Sequence, residues 1–299
     1  MGEGAALRPP RKAMVKVVTD STGDVPVDIV RRLGIIVLPM IVEVDGVTHQ
    51  DGVTLTREQF YASLPSYTSF PKTAAASPER FADAYRAAHA AGADGVVSVH
   101  IARTVSGVCN AAELAASEAA DAGIPVRVVD SGSMTMGLGH LVITAAEMAQ
   151  QGATLDAIVS TLEAMKQRIR ILAMADTLKY LRKSGRVSSL TAGIGELLQI
   201  KLLIELKQGA ITQLDRVRTR GRGVERLIEA VRQTPGAPRC FSIVYTGGDQ
   251  ASDIARIRRE LEPIAPIEPP TPVLVTPVIG AHFGPMGLGV VIVNERAHV

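Results

Sequence analysis

Three short runs, "VKVVTDS" (15–21), "DGVVSVHI" (94–101) and "IPVRVVDS" (124–131), constrain this chain more than anything else in it. Each is crowded with β-branched residues and almost continuously apolar, where a strand with one wet face would alternate. Such a run is stable only when both of its faces are covered. Each also leads into a helical pattern: "PVDIVRRLG", closing at Gly34, follows the first, and the alanine-rich "VCNAAELAA" follows the second. Strand and helix in alternation specify a parallel sheet with helices on its faces.

Local punctuation fills in the rest of the first half. Asp45-Gly46 between two short apolar runs predicts a hairpin turn. Thr56 with Gln59 forms a capping box ahead of "REQFYASL", and Ser77 before Pro78 marks another helix start. Phe81, Ala84, Tyr85 and Ala88 then follow the i, i+3, i+4, i+7 rule. "FPKTAAASP" (70–78) reads as a loop of small residues.

"TLDAIVSTLEAMKQRI" (154–169) is an amphipathic helix leading to a second half of different character. Two helical pieces, near 178–182 and 190–198, precede "KLLIELKQGAITQLDRVRT", a hairpin turning at Gln208-Gly209. A strand–helix pair follows, "CFSIVYTGG" with "QASDIARIRREL", and after a proline-rich connection two closing strands are expected around "GAHFGPMGLG". The expected architecture is therefore α/β in two domains. A flexible leader (1–13) precedes an N-terminal, mostly parallel α/β sheet domain (14–165) and a C-terminal α+β domain (166–299).

With 299 residues the chain is long enough for both cores. Its 32 basic and 30 acidic residues leave a net charge of +2, too little to imply a nucleic-acid or acidic-membrane partner. Cys109 and Cys240 show no metal or redox spacing and fit a reducing cytoplasm. No apolar run approaches the ~20 residues of a membrane span, and the first residues lack a signal-peptide core. Aromatic residues are only 3%, which weighs against ligands held by ring stacking.

Ser106 is the residue that raises the question of function, because it stands where a strand turns into a helix. Three readings are open: a helix N-cap, an anion cradle using the helix's free N–H groups and Gly107, or a nucleophile. The stretch Thr-Val-Ser-Gly-Val lacks the first glycine of Gly-x-Ser-x-Gly, which handicaps the nucleophile. Thr73 is either an ordinary loop threonine or a second hydroxyl for the same anion. Asp20-Ser21 and Asp130-Ser131 sit at strand ends, where capping is the default. Arg186, just past Gly185 and near Arg182 and Lys183, offers a planar fork to a carboxylate or phosphate. His282 lies among glycines that let a ligand come close. A hydrolase or acyltransferase using Ser106, His282 and an acid such as Asp130 is the alternative function.

Taken in order, "TDSTGDVP", "KTAAASP", "VSGVCNAA", "VDSGSMTMG", "TLKYLRKSGRV", "LLQIKLLIEL", "VRTRGRG" and "HFGPMGLG" resemble the segments of the bacterial DegV family. The resemblance implies a non-catalytic, cofactor-free protein holding one long-chain fatty acid, such as palmitate, stearate or oleate, between two domains. It also implies a cytoplasmic location with only transient membrane contact. Some members are the lipid-carrying subunit of a fatty-acid kinase and present the carboxylate to a separate ATP-dependent partner. On the matching positions Thr73 and Ser106 would bond the carboxylate, with the Gly107 N–H beside them. Arg186 and His282 would lie in the head-group network. Ala74, Ala75, Ala102, Arg103, Val108 and Leu202 depart from the family pattern and thin the polar shell behind those hydroxyls.

Overall fold

The structure, a computed structural model, describes residues 13–186 and 200–295. The leader, Ala13 excepted, and the helical piece expected near 190–198 lie outside the described residues. In the first half the elements are β1 (Val15–Asp20), α1 (Val27–Leu33), β2 (Ile36–Leu38), β3 (Ile41–Val44), β4 (Val47–Gln50), α2 (Arg57–Ser63), β5 (Lys72–Ala74), α3 (Pro78–Ala90), β6 (Gly95–His100), α4 (Val108–Asp121), β7 (Val126–Asp130), α5 (Thr135–Gln150) and α6 (Leu155–Lys166). The second half contains β8 (Ile169–Ala175), α7 (Leu178–Ser184), β9 (Lys201–Lys207), β10 (Ala210–Val217), α8 (Arg220–Arg232), β11 (Pro238–Tyr245), α9 (Ala251–Leu261), β12 (Val273–Leu274), α10 (Pro277–Phe283) and β13 (Leu288–Asn294).

The three apolar runs become β1, β6 and β7 of a parallel sheet in the order β2-β1-β6-β7. Every residue of β6 is buried, as its continuous hydrophobicity requires. Burial of Val96, Val97 and Val99 alone supplies roughly 1.5–3 kcal/mol per side chain. The second sheet, β10-β9-β8-β13-β11-β12, is antiparallel except where β11 meets β12. A small antiparallel sheet, β4-β3-β5, stands apart from both.

Helix α5 joins the layers, packing on β1 and also on β8, β11 and β13. It lies close against the 3-10 turn Ser21–Gly23, because a Cβ on Gly139 would stand 2.5 Å from the Gly23 carbonyl. One continuous hydrophobic core consequently runs from Val17 and Val97 through Leu138 and Leu141 to Ile171 and Val291.

Both predicted hairpin turns form with two consecutive positive φ angles, Asp45-Gly46 at 49° and 81° and Gln208-Gly209 at 50° and 78°. The capping box of Thr56 and Gln59 is complete. Two expectations are corrected. Lys72–Ala74 is not loop but strand, paired with β3 so that Thr73 faces Val42. Three residues of small, mixed character carry no strand signal, and the pairing partner supplies it. Strands β12 and β13 flank "GAHFGPMGLG" as expected, but between them Pro277–Phe283 form a helix that the expectation left out, with Thr276 as N-cap and proline in its first turn. That start signal was present, and the glycines obscured it. Helix α8, which the sequence reading passed over, shows Val224, Leu227, Ile228 and Val231 at helical spacing.

Candidate functional site

A cavity of about 510 Å³ lies at the C-terminal edge of the parallel sheet, closed on its far side by the second sheet. Strand C-termini in such sheets leave a crevice where the chain turns into helices. Its walls are apolar, with Ile171 of β8, Ile204 and Leu206 of β9, Val244 of β11 and Leu288 of β13 among them. The same cavity is lined by Thr73, Ser106, Gly107, Arg186 and His282, residues spread over more than two hundred positions of sequence.

Thr73 and His282 meet directly, Oγ1 to Nε2 at 2.7 Å. The edge strand β5 carries one and α10 the other. Burial, helped by the nearby Arg186 charge, pushes the His282 imidazole down to about 4, so it is neutral at physiological pH. Ser106 is not the N-cap of α4. Gly107 occupies that place with no side-chain bond, and the Ser106 hydroxyl has no partner among the described residues. The free N–H groups of a helix start therefore stand beside an uncommitted hydroxyl. Arg186 is exposed past the left-handed Gly185, with Nη1 donating to the Ser184 carbonyl at 2.7 Å. Nearby, the ammonium groups of Lys179 and Lys183 lie 5.1 and 5.6 Å from the Phe70 ring centre, and Tyr180 packs edge-on against that ring.

The acids that might have completed a triad are occupied elsewhere. Asp130 accepts from the Arg103 and Gly132 backbone N–H groups at 3.2 and 2.9 Å. Asp20 accepts from the N–H groups of Thr22 and Ile101 at 3.0 and 3.1 Å and faces His100 Nδ1 at 3.0 Å. His100 Nε2 meets Ser98 Oγ at 2.7 Å, and Tyr85 donates to Ser98 at 2.8 Å. Burial pushes the Asp20 carboxyl up, but the His100 contact and the other donors outweigh it and leave the acid lowered. Asp20, His100 and Ser98 have triad connectivity, yet Ser98 and His100 are fully buried and do not line this cavity, so the chain braces the fold from within.

The helix carrying His282 is held at its start by a second buried network. Thr276, the N-cap of α10, donates its N–H to Asp24 Oδ1 at 2.9 Å and its hydroxyl to Asp51 Oδ2. Arg57 Nη1 lies 3.0 Å from Asp24 Oδ1 and also donates to the Leu274 carbonyl, and Tyr61 donates to the Val275 carbonyl at 3.0 Å. Burial raises the Asp24 carboxyl to about 6 despite Arg57, and burial raises Asp51 as well. Sequence reading missed Asp24, Asp51 and Thr276 as a group, since they come together only in the fold.

His140 of α5 is buried against β11. Ser242 gives its one hydrogen to the Glu268 carbonyl, so His140 Nε2 must carry the hydrogen it shares with Ser242 Oγ at 2.7 Å. Burial, then Arg239, lowers this histidine to about 4. Its folded-state value lies below the unfolded 6.5, so its contribution to stability is complete above that pH and is lost as pH falls toward 4. At 1.36 kcal/mol per unit the loss is about 3 kcal/mol. Asp24 acts in the opposite sense, its raised value favouring the folded state as it protonates. The difference between parent and His140→Gln isolates the histidine: denaturant midpoints should converge between pH 6.5 and about 4, and parallel curves would show that the fold does not lower His140.

Two sheets walling one cavity, with hydroxyls, an imidazole and a guanidinium at its edge, define a two-domain α/β protein built around an apolar cleft. The family model described as "Uncharacterised protein, DegV family" matches residues 14–295, and the chain belongs to that family. A DegV domain-containing protein of Streptomyces coelicolor is 36% identical over 285 residues, covering 93% of this chain and 98% of that one. Among solved structures, one described as "Fatty Acid Binding of a DegV family Protein from Thermus thermophilus" superposes with a TM-score of 0.84 at 30% identity, covering 94% of this chain and 100% of that one. "DegV, a fatty acid binding protein from Bacillus subtilis" superposes at 0.83 with 26% identity, covering 95% and 100%.

Proposed function

We propose that the protein binds one long-chain fatty acid, with the tail in the apolar cavity and the carboxylate bonded by Thr73 and Ser106. The observation that carries this reading is an apolar cavity of about 510 Å³ with two hydroxyls, from β5 and from the start of α4, at one edge. Its size falls within the roughly 300–1,000 Å³ of small-ligand pockets. Burying the ~14 methylenes of palmitate offers about 11 kcal/mol gross at ~0.8 each, of which association and ordering take back a large share.

A carboxylate leaving water needs several donors. Thr73 can donate to it only if its own hydrogen is free, which requires His282 Nε2 to carry the hydrogen in their 2.7 Å contact. His282 then orients Thr73 without touching the acid. Ser106 and the Gly107 N–H supply the remaining donors at the positive end of α4, and Arg186 adds charge nearby.

The carboxylate end lies at the exposed rim formed by Gly107 and Arg186, within reach of another protein. The reading assigns this chain no catalytic step and no cofactor. It presents the acid to a separate ATP-dependent acyl kinase, from the cytoplasm and with only transient membrane contact. Both cysteines are buried free thiols, and no helix among the described residues is long and apolar enough to cross a membrane.

Protein purified from a bacterial host should lose, between native and denaturing mass spectra, the mass of one palmitate, stearate or oleate. A protein that is bare as isolated and also takes up no added palmitate would refute the reading.

A further inference from the structure

Three polar atoms in the network at the start of α10 are buried without a hydrogen-bond partner: Asp24 Oδ2, Asp51 Oδ1 and Thr135 Oγ1. Each residue is at most 4% exposed. The Thr135 hydroxyl leans toward the Asp24 carboxyl, and Ser21, whose Oγ accepts from the Met40 N–H at 3.2 Å, leans toward Asp51, but Asp24 Oδ2, Asp51 Oδ1 and Thr135 Oγ1 reach no full hydrogen bond. Buried polar groups are nearly always satisfied, so an unpaired group calls for a missing component. Two of the three are carboxylate oxygens, which only accept, while the threonine has a single hydrogen. What this group lacks is a donor. One proton placed on the carboxyl pair supplies it.

We propose that Asp24 and Asp51 form a proton-sharing latch on Thr276 that positions α10, and with it His282, across the mouth between the two halves of the molecule. Ionised, the two acids repel each other, Arg57 pairs with Asp24 alone, and the orphan oxygens stay unpaired. Protonated once, the pair gains a donor, the repulsion ends, and the N-cap of α10 is held more firmly. Because Val275, Val278, Ile279 and Phe283 also line the cavity, the latch governs one of its walls.

The groups facing the pair are Arg57 and Tyr61 from α2, Asp20 from the end of β1, and Thr135 from α5. At the other end of α10, His282 charges only near 4, below the range in which the latch works. Burial that brings Asp24 to about 6 places the change close to neutrality. The buried network supplies the latch, and the raised Asp24 carboxyl sets the pH at which it acts. Its effect on ligand exchange is the part that depends on the fatty-acid reading.

The test is amide hydrogen exchange over residues 277–283 of the full chain at about pH 5.5 and about pH 7.5, corrected for intrinsic rates. Protection of α10 should rise about fourfold at the lower pH, the ratio that a carboxyl near 6 in the closed state and 3.8 in the open state allows. Asp24→Asn keeps an acceptor for Thr276 and Arg57 and puts a permanent donor at Oδ2, so its protection should be independent of pH and match the acid-form parent. Asp51→Asn should flatten the profile in the same way. A parent whose α10 protection does not change between the two pH values overturns the latch, as a water filling the gap would produce. So do Asn variants that keep the parental pH profile. Palmitate release, followed in parallel, should slow at the lower pH. A chain that shows the exchange profile but binds no palmitate keeps the latch and loses the fatty-acid reading.

Discussion

The double variant Thr73→Val, Ser106→Ala should bind palmitate at least about a hundredfold more weakly than the parent. Each substitution removes one hydrogen bond to a charged carboxylate, worth about 1.5–3 kcal/mol. Two of them come to roughly 3–6 kcal/mol, and every 1.4 kcal/mol is tenfold in affinity. Valine keeps the branched shape of threonine on β5, so the effect is not confounded by a cavity. Stability should fall only by the cost of leaving the His282 Nε2–H unpaired, about 1–3 kcal/mol, because Ser106 bonds nothing among the described residues and the Thr73 side chain bonds only His282. Calorimetric titration with palmitate measures the effect. Unaltered affinity in the double variant would place the carboxylate elsewhere and remove the role given to both hydroxyls.

Asp20→Ala should lower stability by about 3–5 kcal/mol, because it leaves several buried donors unpaired at roughly 1–3 kcal/mol each. The carboxylate accepts from the N–H groups of Thr22 and Ile101 and from the Thr22 hydroxyl, and it faces His100 at 3.0 Å. Alanine strands all of these donors in a place water does not reach. The damage falls where β1 and β6 end together, under the floor of the cavity. For a chain of this size the melting temperature should drop on the order of 10 °C. Tyr85→Phe, which removes only the last bond of the chain through Ser98 and His100, should fall by far less. An Asp20→Ala protein melting within a degree or two of the parent would mean that the buried chain contributes nothing net, its bonds merely matching those the groups make with water.

The resemblance seen in the ordered motifs, and the family membership that followed, rest on segments whose structure is set locally. Asp45-Gly46 and Gln208-Gly209 turn because those residues accept positive φ, and Thr56 with Gln59 caps because the two side chains and the N–H groups they bond lie within four residues. The apolar runs at 15–21 and 94–101 announce a buried parallel sheet through composition alone, since a strand covered on both faces has no use for polar residues. In each case the deciding interaction is short in sequence, so reading along the chain suffices. The run at 124–131 instead becomes the edge strand β7, in which Arg127 is exposed and Val129 alone is buried, because no further strand covers that side.

Other features were out of reach for the opposite reason. Lys72–Ala74 is a strand only because β3 lies beside it, and His282 lies on a helix because Thr276 finds Asp24 and Asp51 more than two hundred residues away. Sequence reading set Thr73 and His282 apart as separate candidates, and nothing local says that they touch across 209 positions. Ser106 stands at a helix start by local pattern, but that it leaves the capping place to Gly107 and lines a cavity depends on where β8, β9 and α10 close. Pairings of this kind are chosen by the burial of one shared core from β1 to β13, a sum over many weak contacts that no single window of sequence contains.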